Sequence, residues 1–314
     1  MVEQGGYPLK GATCSDVLDL VGNTPLVELT KAPRPGAARL FAKLELMNPS
    51  GSLKDRVMKH IVLRAEETGR LREGMTLVEA TSGNAGISLG MVAAVKGYGC
   101  RIYMQRCRSV ERRTMMRMWG VDLQLVEGDP HAHIHAAEAL CASEPERYYY
   151  TYQNGSDWNP EAHYVGTAAE VLRQMGDIPI DAIVAGFGTG GTVVGIGRRF
   201  RDAGSRTLVV SVEPDQAVTG IEGMMLLDGS YVPPIWDPAI PDRVLRVSDP
   251  EAFEHARLLA RTEGLFVGPS SGAVYAAARR VAHDLKDGSI VMVFADRGER
   301  YLSTALCRGV GGDC

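Results

Sequence analysis

Lys54 stands where a lysine is hard to explain. It follows the turn-forming run Asn48-Pro49-Ser50-Gly51-Ser52 and opens an amphipathic stretch that reaches Thr68. It therefore falls in the first turn of an expected helix, with Ser50 or Ser52 as the cap. The positive end of a helix dipole disfavours an ammonium there. One escape is to consume the charge by joining the amine to an aldehyde cofactor as an imine; taken alone, a lysine is more simply a solvated surface residue.

Three other stretches change that weighing. Thr81-Ser82-Gly83-Asn84-Ala85-Gly86 lies between a strand pattern and a small-residue helix pattern. Its hydroxyls, its amide and the free N–H groups of the helix start form a nest for a carboxylate. Gly186-Phe187-Gly188-Thr189-Gly190-Gly191-Thr192 follows an apolar strand and opens a helix; glycines let the backbone close on a phosphate, and two threonines add donors. Gly268-Pro269-Ser270-Ser271-Gly272-Ala273 introduces a late helix, and a serine hydroxyl can bond a pyridine nitrogen without protonating it. Each stretch also reads as an ordinary capped turn. The second has a sharper rival: Gly186, Gly188 and Gly191 match G-x-G-x-x-G, and Glu213 ends the next strand, as a dinucleotide site requires.

Other candidates carry less. His131, His133 and His135 alternate as on a strand but fall on an expected helix, so they would not face one metal ion. No metal site is expected. Glu111-Arg112-Arg113 reads as a solvated helix start.

The elements that must position these loops alternate along the chain. Short strands are expected at Leu26, Leu40–Leu46, Thr76–Glu79, Ile102–Met104, Leu123–Val126, Tyr148–Tyr150, Ala182–Ala185, Leu208–Val212 and Ile290–Phe294. Helices are expected at 54–68, 86–95, 110–119, 131–142, 161–174, 192–200, 250–263 and 272–285, with irregular chain over much of 214–241. That alternation implies an α/β protein with parallel sheets in doubly wound layers. The junction between two domains is expected near 154–160.

The 314 residues suffice for two cores. A net charge of -4 argues against nucleic acid or an anionic membrane as partner. No apolar run approaches membrane-spanning length, and no secretory signal is visible. The six cysteines show no C-x-x-C spacing, so a reducing, cytoplasmic setting is expected.

Taken together, the Lys54, Thr81–Gly86, Gly188–Thr192 and Ser270 motifs stand in the order seen in pyridoxal-phosphate enzymes of the tryptophan synthase β fold. Over nearly its whole length the chain resembles the cysteine synthase and cystathionine β-synthase family. Gly22-Asn23-Thr24-Pro25-Leu26, Asn48 to Arg56, Thr81-Ser82-Gly83-Asn84, Ser109 to Arg113, Gly188 to Thr192 and Gly298 to Thr304 look like its signatures. Six matching blocks outweigh one glycine loop, and the dinucleotide reading recedes.

The resemblance implies fold type II: two doubly wound parallel-sheet domains with the cofactor cleft between them. Residues 48–157, with an arm 1–24, would form the smaller, mobile domain, and 25–47 with 158–314 the larger one. It implies pyridoxal 5'-phosphate on Lys54 as an imine, with Asn84 on the ring hydroxyl. Gly188, Thr189, Gly190, Gly191 and Thr192 would hold the phosphate, and Ser270 the pyridine nitrogen. Thr81, Ser82, Asn84, Gln153 and the backbone of Ala85 would hold the substrate carboxylate. The implied reaction is β-replacement on an O-activated serine through an aminoacrylate, with O-acetylserine and sulfide giving cysteine. A small-molecule amino acid and a small nucleophile are then the partners, in a homodimer. The alternatives are another nucleophile, as in diaminopropionate or cystathionine synthases, or a non-catalytic regulatory homologue.

The chain departs from that pattern in places. Ala85 stands where a threonine is usual, Asp296-Arg297 where a serine pair is common, and Gln105-Arg106-Cys107-Arg108 replaces a Pro-Glu loop. The segment 215–227 contains no Lys or Arg, leaving Arg106 or Arg108 as the candidates for a phosphorylated or sulfonated substrate.

Overall fold

The computed structural model describes residues 13–32, 36, 38–81, 83–106, 109–128, 131–228, 231–285 and 287–308. Ten strands form two sheets among these residues. The larger runs in the order β1 (Leu26–Leu29), β2 (Arg39–Leu44), β10 (Ser289–Phe294), β7 (Ala182–Gly186), β8 (Leu208–Pro214) and β9 (Arg243–Val247). The smaller runs β5 (Asp122–Val126), β4 (Gly99–Gln105), β3 (Thr76–Ala80) and β6 (Tyr148–Tyr150). Every pairing is parallel except β1 with β2, which is antiparallel. The alternation of the sequence thus yields parallel sheet, with an antiparallel edge that it did not signal.

Both faces of the larger sheet are covered, as its nearly continuous apolar strands require. On β10, Ile290, Met292 and Phe294 enter the core under α8 (Asp249–Glu263) and α9 (Pro269–Leu285). Val291 and Val293 point the other way, to α6 (Ala169–Met175) and α7 (Gly191–Asp202). The period of two carries each strand's residues alternately into the two cores. The smaller sheet packs Leu77, Ile102 and Met104 against α1 (Lys54–Glu67) and α2 (Asn84–Lys96), and Val78, Ala80 and Tyr148 against α4 (Ala132–Ser143). A short α3 (Val110–Met118) completes this unit.

Three expectations need correction. Strand β9 lies just beyond a proline-rich stretch that obscured its short pattern. The single helix expected at 161–174 is three pieces: α5 (Trp158–Ala162), a π-helix (His163–Ala168) and α6. Neither serine caps α1 as expected. Leu53 occupies the cap position without a side-chain bond, Ser52 Oγ accepts weakly from the Lys54 N–H at 3.3 Å, and the Ser50 hydroxyl is spent on Asp55.

Candidate active site

The loops at the C-terminal ends of β3 and β7 open on one cavity of about 770 Å³, where crevices of doubly wound sheets usually bind ligands. Lys54, Thr81, Asn84, Ala85, Gln153, Gly188, Thr189, Gly190, Thr192 and Ser270 line it. Gly191 is the first residue of α7, directly behind that wall. Ser82 lies outside the described residues. Tertiary structure therefore gathers residues spread over more than 200 positions of the chain.

Lys54 is the first residue of α1. Burial lowers its pKa to about 8, against the opposing charge of Glu79. Glu79 is buried at the end of β3, and burial pushes its carboxyl up to about 7. Its oxygens accept from Thr151 Oγ1 at 2.6 Å, the Gln153 N–H at 3.0 Å and the Ala80 N–H at 2.9 Å. An amine that begins to lose its proton near pH 8, instead of above pH 10, is a usable nucleophile and proton acceptor.

The glycine loop bears the marks of an anion cradle. The last two residues before α7, Thr189 and Gly190, turn sharply, with Gly190 at a φ of +85° that excludes most side chains. The N–H groups of the first turn of α7 have no partner within the helix, and the Thr189 and Thr192 hydroxyls flank them. Asn159 ties this loop to the Gln153 loop, since its Nδ2 donates to the Gln153 carbonyl at 2.8 Å and to Thr189 Oγ1 at 3.0 Å. From the π-helix, buried His163 meets Thr192 Oγ1 through Nε2 at 3.2 Å and Thr167 Oγ1 through Nδ1 at 3.0 Å. Burial drops its pKa to about 3, so it is neutral.

Asn84, at the start of α2, is held from both sides of its amide. Its Nδ2 donates to Asp296 Oδ2 at 2.6 Å, and its Oδ1 accepts from Arg300 Nη1 at 2.7 Å. Ser270, in the first turn of α9, is buried at the cavity wall.

Sequence reasoning missed Glu79, Asn159, His163 and Arg300 as parts of this site, because each acts by touching another residue. The one available signal was polarity inside otherwise apolar elements, as in Leu77-Val78-Glu79-Ala80. The histidine triplet also behaves differently than expected. His131 precedes α4, so both it and His133 line the cavity, while His135 sits on the exposed face. Arg112, expected in solvent, is buried, ion-paired with Glu222 and stacked on Tyr301 with its guanidinium 4.6 Å from the ring centre.

These residues fit pyridoxal phosphate. A buried amine whose pKa is lowered to about 8 suits an aldehyde, a helix start with glycines and threonines suits a phosphate, and a serine rather than an acid suits an uncharged ring nitrogen. They do not fit a dinucleotide, because Glu213 is turned to Arg246 at 3.7 Å and is absent from the cavity wall. No group of three or more potential metal-ligating side chains occurs among the described residues, and no described helix is long and apolar enough to cross a membrane. Arg106 is exposed and paired with Glu127 at 2.5 Å; Arg108 lies outside the described residues.

The family model "pyridoxal-phosphate dependent enzyme" matches residues 17–296. Cysteine synthase B of Pseudomonas aeruginosa is 39% identical over 293 residues, covering 92% of this chain and 96% of that protein. A probable cysteine synthase of Bacillus subtilis is 38% identical over 303 residues, covering 93% and 97%. Among solved structures, O-ureido-L-serine synthase superposes with a TM-score of 0.90 at 35% identity, over 96% of this chain and 98% of that one. Cysteine synthase from Entamoeba histolytica superposes with a TM-score of 0.89 at 31% identity, over 99% and 95%.

Proposed function

The chain belongs to the family of pyridoxal-phosphate dependent enzymes, and from that premise we propose that it replaces the β-substituent of an O-activated serine. The preferred reaction joins O-acetylserine and sulfide to give cysteine and acetate. The observation that carries the reading is the meeting of a low-pKa Lys54, the Gly188–Thr192 loop and Ser270 on one cavity. Identities of 39% and 38% with cysteine synthases over more than nine-tenths of the chain support it.

In this reading Thr189, Thr192 and the first N–H groups of α7 bind the cofactor's phosphate, and Ser270 meets its pyridine nitrogen. When bound, the cofactor supplies an electron sink that lets an amino acid lose its Cα proton and then its β-substituent. A serine partner leaves that sink weaker than a carboxylate would, which limits side transamination. Lys54 Nζ takes the Cα proton and later returns it. Thr81, Ser82, Asn84, Gln153 and the Ala85 backbone hold the substrate carboxylate, and Glu79 fixes the Gln153 loop through its backbone N–H. Residues 48–157 close as a unit over the loaded site and exclude water. The enzyme works in the cytoplasm as a homodimer.

A larger neutral nucleophile is the second reading. Val218, Met224, Met225 and Leu226 make one wall of the cavity apolar, and Arg112 on its lining is neutralised by Glu222. One experiment separates the readings. The purified protein should be yellow, and borohydride should fix pyridoxyl phosphate on Lys54 in the wild type and not in Lys54→Ala. Supplied with O-acetylserine, it should make cysteine from sulfide faster than it makes products from homocysteine, amines or thiosulfate. A colourless protein without turnover defeats the reading, and a preference for homocysteine or an amine moves it to the second one.

A further inference from the structure

Asp296 sits two residues after β10 and is fully buried. Its Oδ2 accepts two hydrogen bonds, from Asn84 Nδ2 at 2.6 Å and from the Tyr301 hydroxyl at 2.5 Å. Tyr301 is itself anchored by Arg112 Nη2 at 2.7 Å. On the other side of Asn84, Arg300 Nη1 donates to Oδ1 at 2.7 Å, while Arg300 Nη2 reaches the Ser50 carbonyl at 2.8 Å, in the turn that leads to Lys54. The amide is thus gripped by an anion at its nitrogen and a cation at its oxygen. That choice is unambiguous, because a flipped amide would set oxygen against carboxylate and NH2 against guanidinium.

Space has been cleared for the carboxylate as well. A Cβ on Gly268 would lie 2.1 Å from Asp296 Oδ1, so that position, two before Ser270, excludes any side chain while Asp296 stays in place. The isolated bridge between Ser52 and Asp296 adds a backbone tie to the same turn.

We propose that Asp296, with Arg300, is a positioning residue that fixes the rotamer of Asn84 and leaves its second N–H free to point at the ring oxygen of pyridoxal phosphate. One Nδ2 hydrogen is spent on Asp296, so only the other can serve the ligand, in a direction set by the first. Arg300, by drawing electron density to Oδ1, makes that remaining N–H a stronger donor. The inference rests on the proposed function, which places the cofactor ring beside Asn84.

The test is a double-mutant cycle on the holoenzyme with Asp296→Ser, Asn84→Ala and the double variant. The readouts are the absorbance spectrum of the bound cofactor and its rate of loss on dilution. Asp296→Ser should speed loss by about tenfold, the worth of one good hydrogen bond, and shift the absorbance band. In the Asn84→Ala background the same substitution should add almost nothing. Additive effects in the cycle, or an unchanged spectrum and loss rate in folded Asp296→Ser, overturn the proposal. Should Asp296→Ser not fold, Asp296→Asn in the same cycle decides it, because the amide keeps an acceptor for Asn84 and weakens only its charge; a smaller, still non-additive effect is expected there, and additivity again overturns. A wild-type protein that carries no borohydride-fixable cofactor defeats the proposed function instead, which keeps the two failures apart.

Discussion

Two residues apart on helix α1, Lys54 and Arg56 experience burial in opposite ways. Arg56 enters a balanced set of charges: its Nε donates to Glu45 at 2.6 Å, its Nη1 to Glu170 at 2.6 Å, and its Nη2 to both again at 2.8 and 2.7 Å. Lys43 completes the set through Glu170 at 2.6 Å, the Thr24 carbonyl at 2.7 Å and Gln174 at 2.8 Å. Two cations meet two carboxylates. Arg56 and Lys43 hold Glu45 at a pKa of about 2 even though burial alone would raise it, and its carboxylate neighbours raise that of Arg56. Among the described residues Lys54 has only Glu79 to oppose its burial, and no hydrogen bond joins the two side chains. Its pKa falls while that of Glu79 rises. Complete pairing locks charges into structure, whereas incomplete pairing leaves an amine ready for chemistry.

The comparison breaks most visibly at Arg56. Arg56→Met leaves Glu45 and Glu170 without their main partner and should cost about 3–5 kcal/mol in denaturant unfolding. A loss below about 1 kcal/mol would mean the set is not integral to the fold. The same set should govern acid stability. The folded pKa of Glu45 is lowered from 4.5 to about 2, so its contribution is complete above 4.5 and is lost as pH falls toward 2. Unfolding curves of Glu45→Gln and wild type should therefore diverge above pH 4.5 and converge toward pH 2.

At Lys54 the sign reverses. Lys54→Met should abolish turnover of the cofactor-loaded enzyme, yet with the cofactor stripped from both proteins it should gain about 1–2 kcal/mol of stability at neutral pH. The folded pKa is lowered from 10.5 to about 8, so the penalty on the charged amine is complete below pH 8 and fades as pH rises to 10.5. A stability gain that does not shrink over that window would assign it to packing instead. The smallest effect is expected from Glu79→Gln, which removes the charge that favours the ammonium and should move the pH profile of Lys54 labelling, read on the stripped enzyme, to lower pH. An unmoved profile would show that burial alone sets the amine.

Much of this was legible in the chain. The order of strands and helices followed from apolar period and turn residues, and the loops at 81–86, 186–192 and 268–273 announced themselves through glycines and hydroxyls at strand ends. What stayed hidden acts across sequence distance. Glu170 reads as an ordinary acidic position of a surface helix until it meets Arg56, 114 residues earlier. Asp296 reads as an ordinary acidic residue after a strand until it meets Asn84, 212 residues earlier. His163 gave no sign that a π-helix would turn it to Thr192.

By itself, then, the sequence determined which elements form and where their loops carry chemistry, because backbone propensity and side-chain period act over a few residues. Only the tertiary structure decided which charges are paired and which are left exposed to reaction. Whether a buried group is compensated depends on partners brought within about 3 Å from distant segments, and no local pattern encodes that distance.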